Sequence, residues 1–525
     1  MASTIGECVD ILNLIGDHVN NKKLLYDLCL VSRHFNYIFS KRLWRRLEFD
    51  DLNTHCFTDD ERRGIILQSP SLEHTRILIC GVCGSAGLYQ YGVNRVFQEW
   101  VAELAELVQK LPNLESIVAC ELDVPDDIML ALSNATSLKS LVFHFTREIQ
   151  EFLLMRDNPD LDIMQALGHG RPCCILPPFE NLTRLSLLEI FGELSYWLEW
   201  VLDLLCRSPS LEYLSLSIGF GTEVAILDQM SGPDASIPCH TFFSDLCNKY
   251  GNQSSKQLKL RTLRLKEPLR CPNLPTLSKS TDTTYLEDIY VDTSSSKVIP
   301  ALDVLSPNAT PSLRHLTIEH INHTAVEVLR ELSSMTDRRL SIQFLQYKTS
   351  EISRLYPDLV AESAESITFW DWPSSSGELC PPGNNCVKSI GVDICFTDFI
   401  SRSDREIDMR RHLLGLFEKL GSMRSLEELW LEACSYSKIK SHASVTPEEA
   451  YDLQFVLSNL AAACRRLHYV KIGKLTWRIH PKVRHTKQQV CTFEEIDAWE
   501  AAAEGPAALL GPNPLDHDVL HKDWW

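Results

Sequence analysis

The chain has no apolar run approaching the ~20 residues that carry a helix across a bilayer, so a membrane-spanning protein is not expected. It lacks a basic lead-in at its N-terminus, and Glu7, Asp10 and Asp17 interrupt the aliphatic residues there, which argues against a secretory signal. Positive charge is in deficit: 51 Lys and Arg stand against 70 Asp and Glu, a formal net charge of −19 over 525 residues. A surface of that sign repels nucleic acid and anionic lipid, and neither is expected as a partner. Catalytic signatures are missing as well. There is no G-x-S-x-G elbow, no H-E-x-x-H helix and no Gly-Lys-Ser/Thr phosphate loop, and the 17 histidines are scattered. No catalytic residue, metal ligand or cofactor is nominated, and enzymatic activity is not expected.

Two short patterns come near to chemistry. Gly81, Gly84 and Gly87 follow a strand-like Ile77–Cys80, but a dinucleotide fingerprint needs G-x-G-x-x-G, so that backbone amides can approach a pyrophosphate. The glycines read as a strand-to-helix turn. Cys80-x-x-Cys83 has neither a second cysteine pair nor a histidine pair to complete a zinc site, and Cys380 and Cys386 sit in a Pro/Gly-rich loop. With 18 cysteines and no secretory route, the thiols read as reduced residues of a cytosolic or nuclear protein.

What the chain does have is a repeated phrase: leucine, two variable residues, an aliphatic, one variable residue, an aliphatic. It stands at Leu182-Thr183-Arg184-Leu185-Ser186-Leu187, at Leu211–Leu216 and at Leu260–Leu265. Further copies start at Leu286, Leu313 and Leu426, with looser ones at Leu72, Leu114, Leu138, Val387 and Leu467. Amphipathic helices ending in proline or another breaker precede several copies: Glu99–Gln109, Trp200–Arg207 and Leu453–Cys464. A recurring interval of about 27 residues is the mark of a leucine-rich repeat, in which one strand and one helix cannot bury their own apolar faces and must stack on neighbours. The expected fold is an α/β leucine-rich-repeat solenoid of about 11–13 units over residues 60–475. Its parallel strands would lie on the concave face and its helices outside. Stretches around 339–344 and 367–369 read as degenerate units. The pattern stops after Leu475, and 476–525 reads as a cap helix (Thr492–Ala503) with a loose tail.

Residues 1–49 have a different grammar. A helix is expected over about 7–19 and another over Lys22–Leu28 with Leu24, Leu25 and Leu28 on one side. Ser32 is placed to cap a third, carrying Phe35, Ile38 and Phe39. Leu43-Trp44 and a strand at Leu47–Phe49 follow. This stretch resembles the F-box, a small helical module that recruits the Skp-type adaptor of cullin–RING ubiquitin ligases, and the whole chain resembles the F-box-like leucine-rich-repeat proteins of fungi. One departure is plain: the family opens with a Leu-Pro pair before an acidic residue, where this chain has Glu7-Cys8-Val9 and then Asp10.

The resemblance implies a substrate-recognition subunit of an SCF-type ligase, without catalysis of its own. Leu12, Ile15, Leu28, Val31, Ser32, Phe35, Leu43 and Trp44 would serve the adaptor. A non-catalytic repeat scaffold or inhibitor, with residues 1–49 as a helical cap, is the alternative. Strand alternation sends phrase positions three, five and seven away from the core. Arg184, Tyr213, Arg264, Tyr290, Trp430 and Tyr469 are therefore expected exposed on the inner wall, facing a target protein, since aromatic and arginine side chains dominate protein–protein contacts.

Overall fold

In a computed structural model of the chain, the structure describes residues 12, 22–49, 60–81, 104–120, 126–144, 179–190, 194–218, 239–266, 269–291, 303–320, 341–347, 364–369, 387–394, 414, 417–418, 420–433, 447–472, 475–480 and 492–496. Two compact units emerge. The first holds Met1–Ile289 and Pro300–Leu313; the second holds Tyr290–Ile299 and Arg314–Trp525.

The first unit opens on two helices, α1 (Lys22–Val31) and α2 (Arg33–Leu43). Between them Ser32 is extended, and its Oγ accepts the Phe35 N–H at 3.2 Å. That bond satisfies one of the amide donors a helix start leaves open. Leu25, Ile38 and Phe39 form the buried centre of the pair, with Leu12, Leu28, Cys29, Phe35 and Leu43 packed around them. The expected helix over 7–19 lies outside the described residues except for Leu12, which is helical. The second helix runs three residues beyond its expected end, to Val31.

Strand β1 (Arg46–Phe49) follows directly, then helix α3 (Asp60–Leu67) and β2 (Ile77–Gly81). A helical stretch at 104–109 precedes β3 (Ser116–Cys120), and α4 (Asp126–Ser133) precedes β4 (Ser140–His144). Then come β5 (Arg184–Ile190), α5 (Leu194–Arg207), β6 (Tyr213–Ile218), α6 (Phe242–Gln253), β7 (Thr262–Leu265), α7 (Leu274–Ser280) and β8 (Asp288–Val291). Strands β1 to β7 are parallel, and each pairs with the next in chain order. Helix α5 starts six residues earlier than its expected Trp200, and buries Trp197, Leu198, Val201, Leu202, Leu204 and Leu205.

Two hydrogen-bond devices recur at the strand starts. Before β2, β3, β4, β6 and β8 an i→i+3 turn delivers the phrase-opening leucine. The N–H groups of Leu72, Leu114, Leu138, Leu211 and Leu286 donate to the carbonyls of Ser69, Leu111, Ala135, Ser208 and Thr283. Just after it, two successive N–H groups share one carbonyl of the preceding strand's lead-in. Glu115 and Ser116 donate to Arg76, and Glu212 and Tyr213 donate to Thr183. Leu72, Leu114, Leu138, Leu182, Leu211, Leu260 and Leu286 are all buried. The repeated leucine is thus the residue that drops into the core as each strand begins.

The second unit contains β9 (His315–His320), β10 (Ser341–Tyr347), β11 (Ala364–Phe369), β12 (Ser389–Ile394) and β13 (Glu428–Ala433). Helix α8 (Pro447–Ala463), which starts before the expected Leu453, leads to β14 (Tyr469–Ile472). Strands β9 to β14 are parallel in chain order, and the two stretches read as degenerate units supply β10 and β11. Two corrections concern the end of the chain. The sheet does not stop at Leu475: β15 (Leu475–His480) and β16 (Thr492–Ile496) continue it antiparallel. Residues 492–496 are therefore strand where a helix was expected. The missed signal is period two. Trp477 and Ile479 are buried, flanked by the less buried Arg478 and the exposed His480, and Thr492 begins a run rich in β-favouring residues.

Candidate functional site

Two kinds of surface carry the side chains singled out from the sequence. The first is the helical pair. Leu12, Leu28, Phe35 and Leu43 are half-buried against its core, and the Phe35 and Phe39 rings lie 5.6 Å apart. These four hold the pair together. Trp44 is half-buried at the end of α2, its carbonyl accepting the Thr75 hydroxyl at 2.9 Å. Ile15 lies outside the described residues. Val31 and Ser32 are exposed.

The structure adds residues that sequence reasoning missed. Large apolar side chains stand out in water on this pair: Leu24 at 47%, Tyr26 at 54%, Leu30 at 67%, Val31 at 64% and Tyr37 at 64% exposure. Leu24, Tyr26, Leu30 and Val31 share the outward side of α1, because Leu25, Leu28 and Cys29 take the inward one. The signal was present in the segment Leu24–Val31, where every residue but Asp27 is apolar; at 3.6 residues per turn one face cannot hold them all. On α2, Arg33, His34, Tyr37 and Lys41 are exposed, and the Lys41 ammonium sits 4.4 Å from the Tyr37 ring centroid. The pair thus exposes large apolar side chains on α1, and Arg33 and Lys41 on α2.

The second kind of surface is the strand face bearing phrase positions three and five. Here the structure corrects an expectation. Arg184 (5% exposed), Tyr213 (4%), Tyr290 (6%) and Trp430 (5%) are buried, and Arg264 and Tyr469 are half-buried. Part of the reason is geometric: strands stand about 4.8 Å apart, so neighbouring side chains on one face cover each other. In the first unit the Arg184 guanidinium carbon lies 3.7 Å from the Tyr213 ring centroid, and that of Arg264 lies 5.7 Å from the same ring. Strand β6 is buried along its whole length, on both faces.

In the second unit Lys471, itself buried, holds its ammonium 5.2 Å from the Trp430 ring. Glu428 beside it is fully buried and accepts the Ser389 hydroxyl at 2.9 Å. Trp430 Nε1 and Thr476 Oγ1 have no hydrogen-bond partner among the described residues.

Among the described residues Cys80, Cys239, Cys247, Cys271 and Cys464 are buried, while Cys29 and Cys206 are half-buried. Cys80 is fully buried in β2, while Cys83, Cys380 and Cys386 lie outside the described residues. Burial pushes Cys247, Cys271 and Cys464 up to about 12, far from the thiolate that nucleophilic or metal chemistry needs. Among the described residues no three His, Cys, Asp or Glu side chains gather as a metal site, and no helix is long and apolar enough to cross a membrane. No family model and no curated protein matches the chain.

Proposed function

We propose that the chain is the substrate-recognition subunit of an SCF-type cullin–RING ubiquitin ligase, built as an F-box-like helical module followed by leucine-rich repeats. In this reading α1 and α2 hold the Skp-type adaptor, the polar strand face holds a target protein, and transfer of ubiquitin is left to other subunits. The work would be done in the cytoplasm or nucleus.

The observation that carries the reading is the outward side of α1. Leu24, Tyr26, Leu30 and Val31 expose apolar surface on a helix whose other side is already packed. Large apolar side chains left exposed together on one short helix mark a protein contact, and they include Val31, one of the residues at which the F-box resemblance puts the adaptor. The missing Leu-Pro start favours a second reading, a repeat scaffold or inhibitor outside the ubiquitin pathway.

Co-purification separates the two. The ligase reading expects the full-length chain to retain a Skp-type adaptor and a chain lacking residues 1–49 to lose it. If neither retains the adaptor, the scaffold reading replaces it.

A further inference from the structure

We infer that the partner covering α1 meets α2 with an acidic segment, whose carboxylates are received by Arg33 and Lys41. This deepens the adaptor-binding half of the proposed function and rests on that reading.

The first observation is where the cations are. Residues 22–46 hold seven Lys and Arg against a single acid, Asp27, while the rest of the chain holds 44 against 69. The two helices are thus the cationic part of an acidic chain. On α2, Arg33, Tyr37 and Lys41 follow one another at intervals of four, which sets them along one side of a helix over about 12 Å. All three are exposed, and the Lys41 ammonium lies 4.4 Å from the Tyr37 ring centroid. Helix α2 has no Asp or Glu of its own. Arg33 and Lys41 form no ion pair among the described residues, so both cations are open to a carboxylate from outside.

The second observation is local and independent of the first. Both helices begin on cations, Lys22-Lys23 in α1 and Arg33 in α2, and neither first turn holds an acidic residue. Aligned amide dipoles put partial positive charge at that end of a helix, where a carboxylate is favoured and a cation is not. Sequences break such a local rule mainly at functional sites, and a partner's carboxylate beside Arg33 restores it.

Exposed leucine and tyrosine beside Arg and Lys would also suit an anionic lipid surface. The deficit of 25 positive charges in the rest of the chain opposes that occupant. A bilayer is an extended plane of negative charge and repels the whole molecule, whereas a protein can place carboxylates only where the helices are.

The test is capture of a purified Skp-type adaptor by the full-length chain, followed by surface plasmon resonance at stepped salt. Association that slows as salt rises is expected. Arg33→Glu and Lys41→Glu should each slow it by about threefold to fivefold, and the double variant by about tenfold or more. Lys256→Glu makes the same change of net charge at an exposed lysine before β7, and should leave the rate unchanged. Adaptor captured at equal rates by wild type and the α2 variants, or without salt dependence, would overturn the inference and leave the ligase reading standing. Failure of that reading shows up separately, as no capture by the full-length chain at any salt, and takes the inference with it. Retention of the chain on phosphatidylserine vesicles, abolished by the same reversals, would also overturn it. If a reversal lowers the melting temperature, Arg33→Gln and Lys41→Gln replace it, with a smaller slowing in the same direction expected.

Discussion

Gly251 and Gly421 show how closely the chain is packed at single positions. A Cβ on Gly251 of α6 would stand 2.9 Å from the Lys279 Cβ and 3.0 Å from its carbonyl oxygen on α7. On Gly421 it would meet the Ala463 carbonyl oxygen at 2.8 Å. Both obstacles include backbone, which cannot swing aside. Gly251→Ala and Gly421→Ala should each destabilise by about 1–3 kcal/mol, as overpacking does, read as a lower urea midpoint at unchanged slope.

The buried thiols set a pH dependence at the same scale. With their pKa raised from 9.0 to about 12 in the folded chain, Cys247, Cys271 and Cys464 stay protonated where the unfolded chain has lost those protons. The unfolded state then binds fewer protons, so stability is intact below pH 9 and falls as pH rises toward 12. Each thiol contributes up to about 1.4 kcal/mol per pH unit in that window. Urea melts at stepped alkaline pH should show the decline, and Cys271→Ala should flatten it.

Trp430 illustrates what a sequence hides. Alternation predicts an exposed indole, whereas Trp430 is buried with the Lys471 ammonium 5.2 Å from its ring. Burial at that position depends on its register partner on β14, Lys471, which is distant in sequence. Trp430→Ala should therefore cost about 3–5 kcal/mol, as buried aromatic truncations do, and Trp430→Phe much less. Equal melting temperatures for wild type and Trp430→Ala would show that the indole is not packed.

At the scale of elements, the phrase was legible because one leucine does the same physical job each time. It drops into the core as the strand begins, at the end of an i→i+3 turn before β2, β3, β4, β6 and β8, while the following amides pair with the previous strand. The cap at Ser32 was legible for a similar reason, since a short hydroxyl before an amphipathic run has few other uses. Strands β15 and β16 were not legible, because they leave the 27-residue rhythm and reverse direction, and their only signal is alternation over a few residues.

Leu24, expected on one side with Leu25 and Leu28, is instead exposed on the outward side of α1. Replacing Leu30 with Lys is expected to change stability by less than about 0.5 kcal/mol, as exposed substitutions do, while abolishing adaptor capture in the co-purification assay. Capture at the wild-type level would remove α1 from the interface.

For the molecule, the consequence of chain-order pairing is local cooperativity. In the first unit each of β2 to β7 pairs only with its neighbours in sequence among the described parallel pairings. A lesion should therefore spread by nearest-neighbour steps. Leu214 is buried in the middle of β6. Leu214→Ala should cost about 2–5 kcal/mol, and hydrogen exchange should speed most in β5 to β7 and least in β1. Uniform acceleration across the unit would contradict this.

The junction after α2 has a further consequence. The Arg45 carbonyl takes both the Arg76 and Ile77 amides, at 2.8 and 3.1 Å, while the Trp44 carbonyl takes the Thr75 hydroxyl at 2.9 Å. Consecutive carbonyls are clamped by one lead-in segment, so the helices have no swivel where they meet β1. Whatever they grip is carried at a set bearing to the strands that follow, like a jig fixed to its bench. One residue inserted between Trp44 and Arg46 would turn that bearing while leaving both partners' own contacts in place.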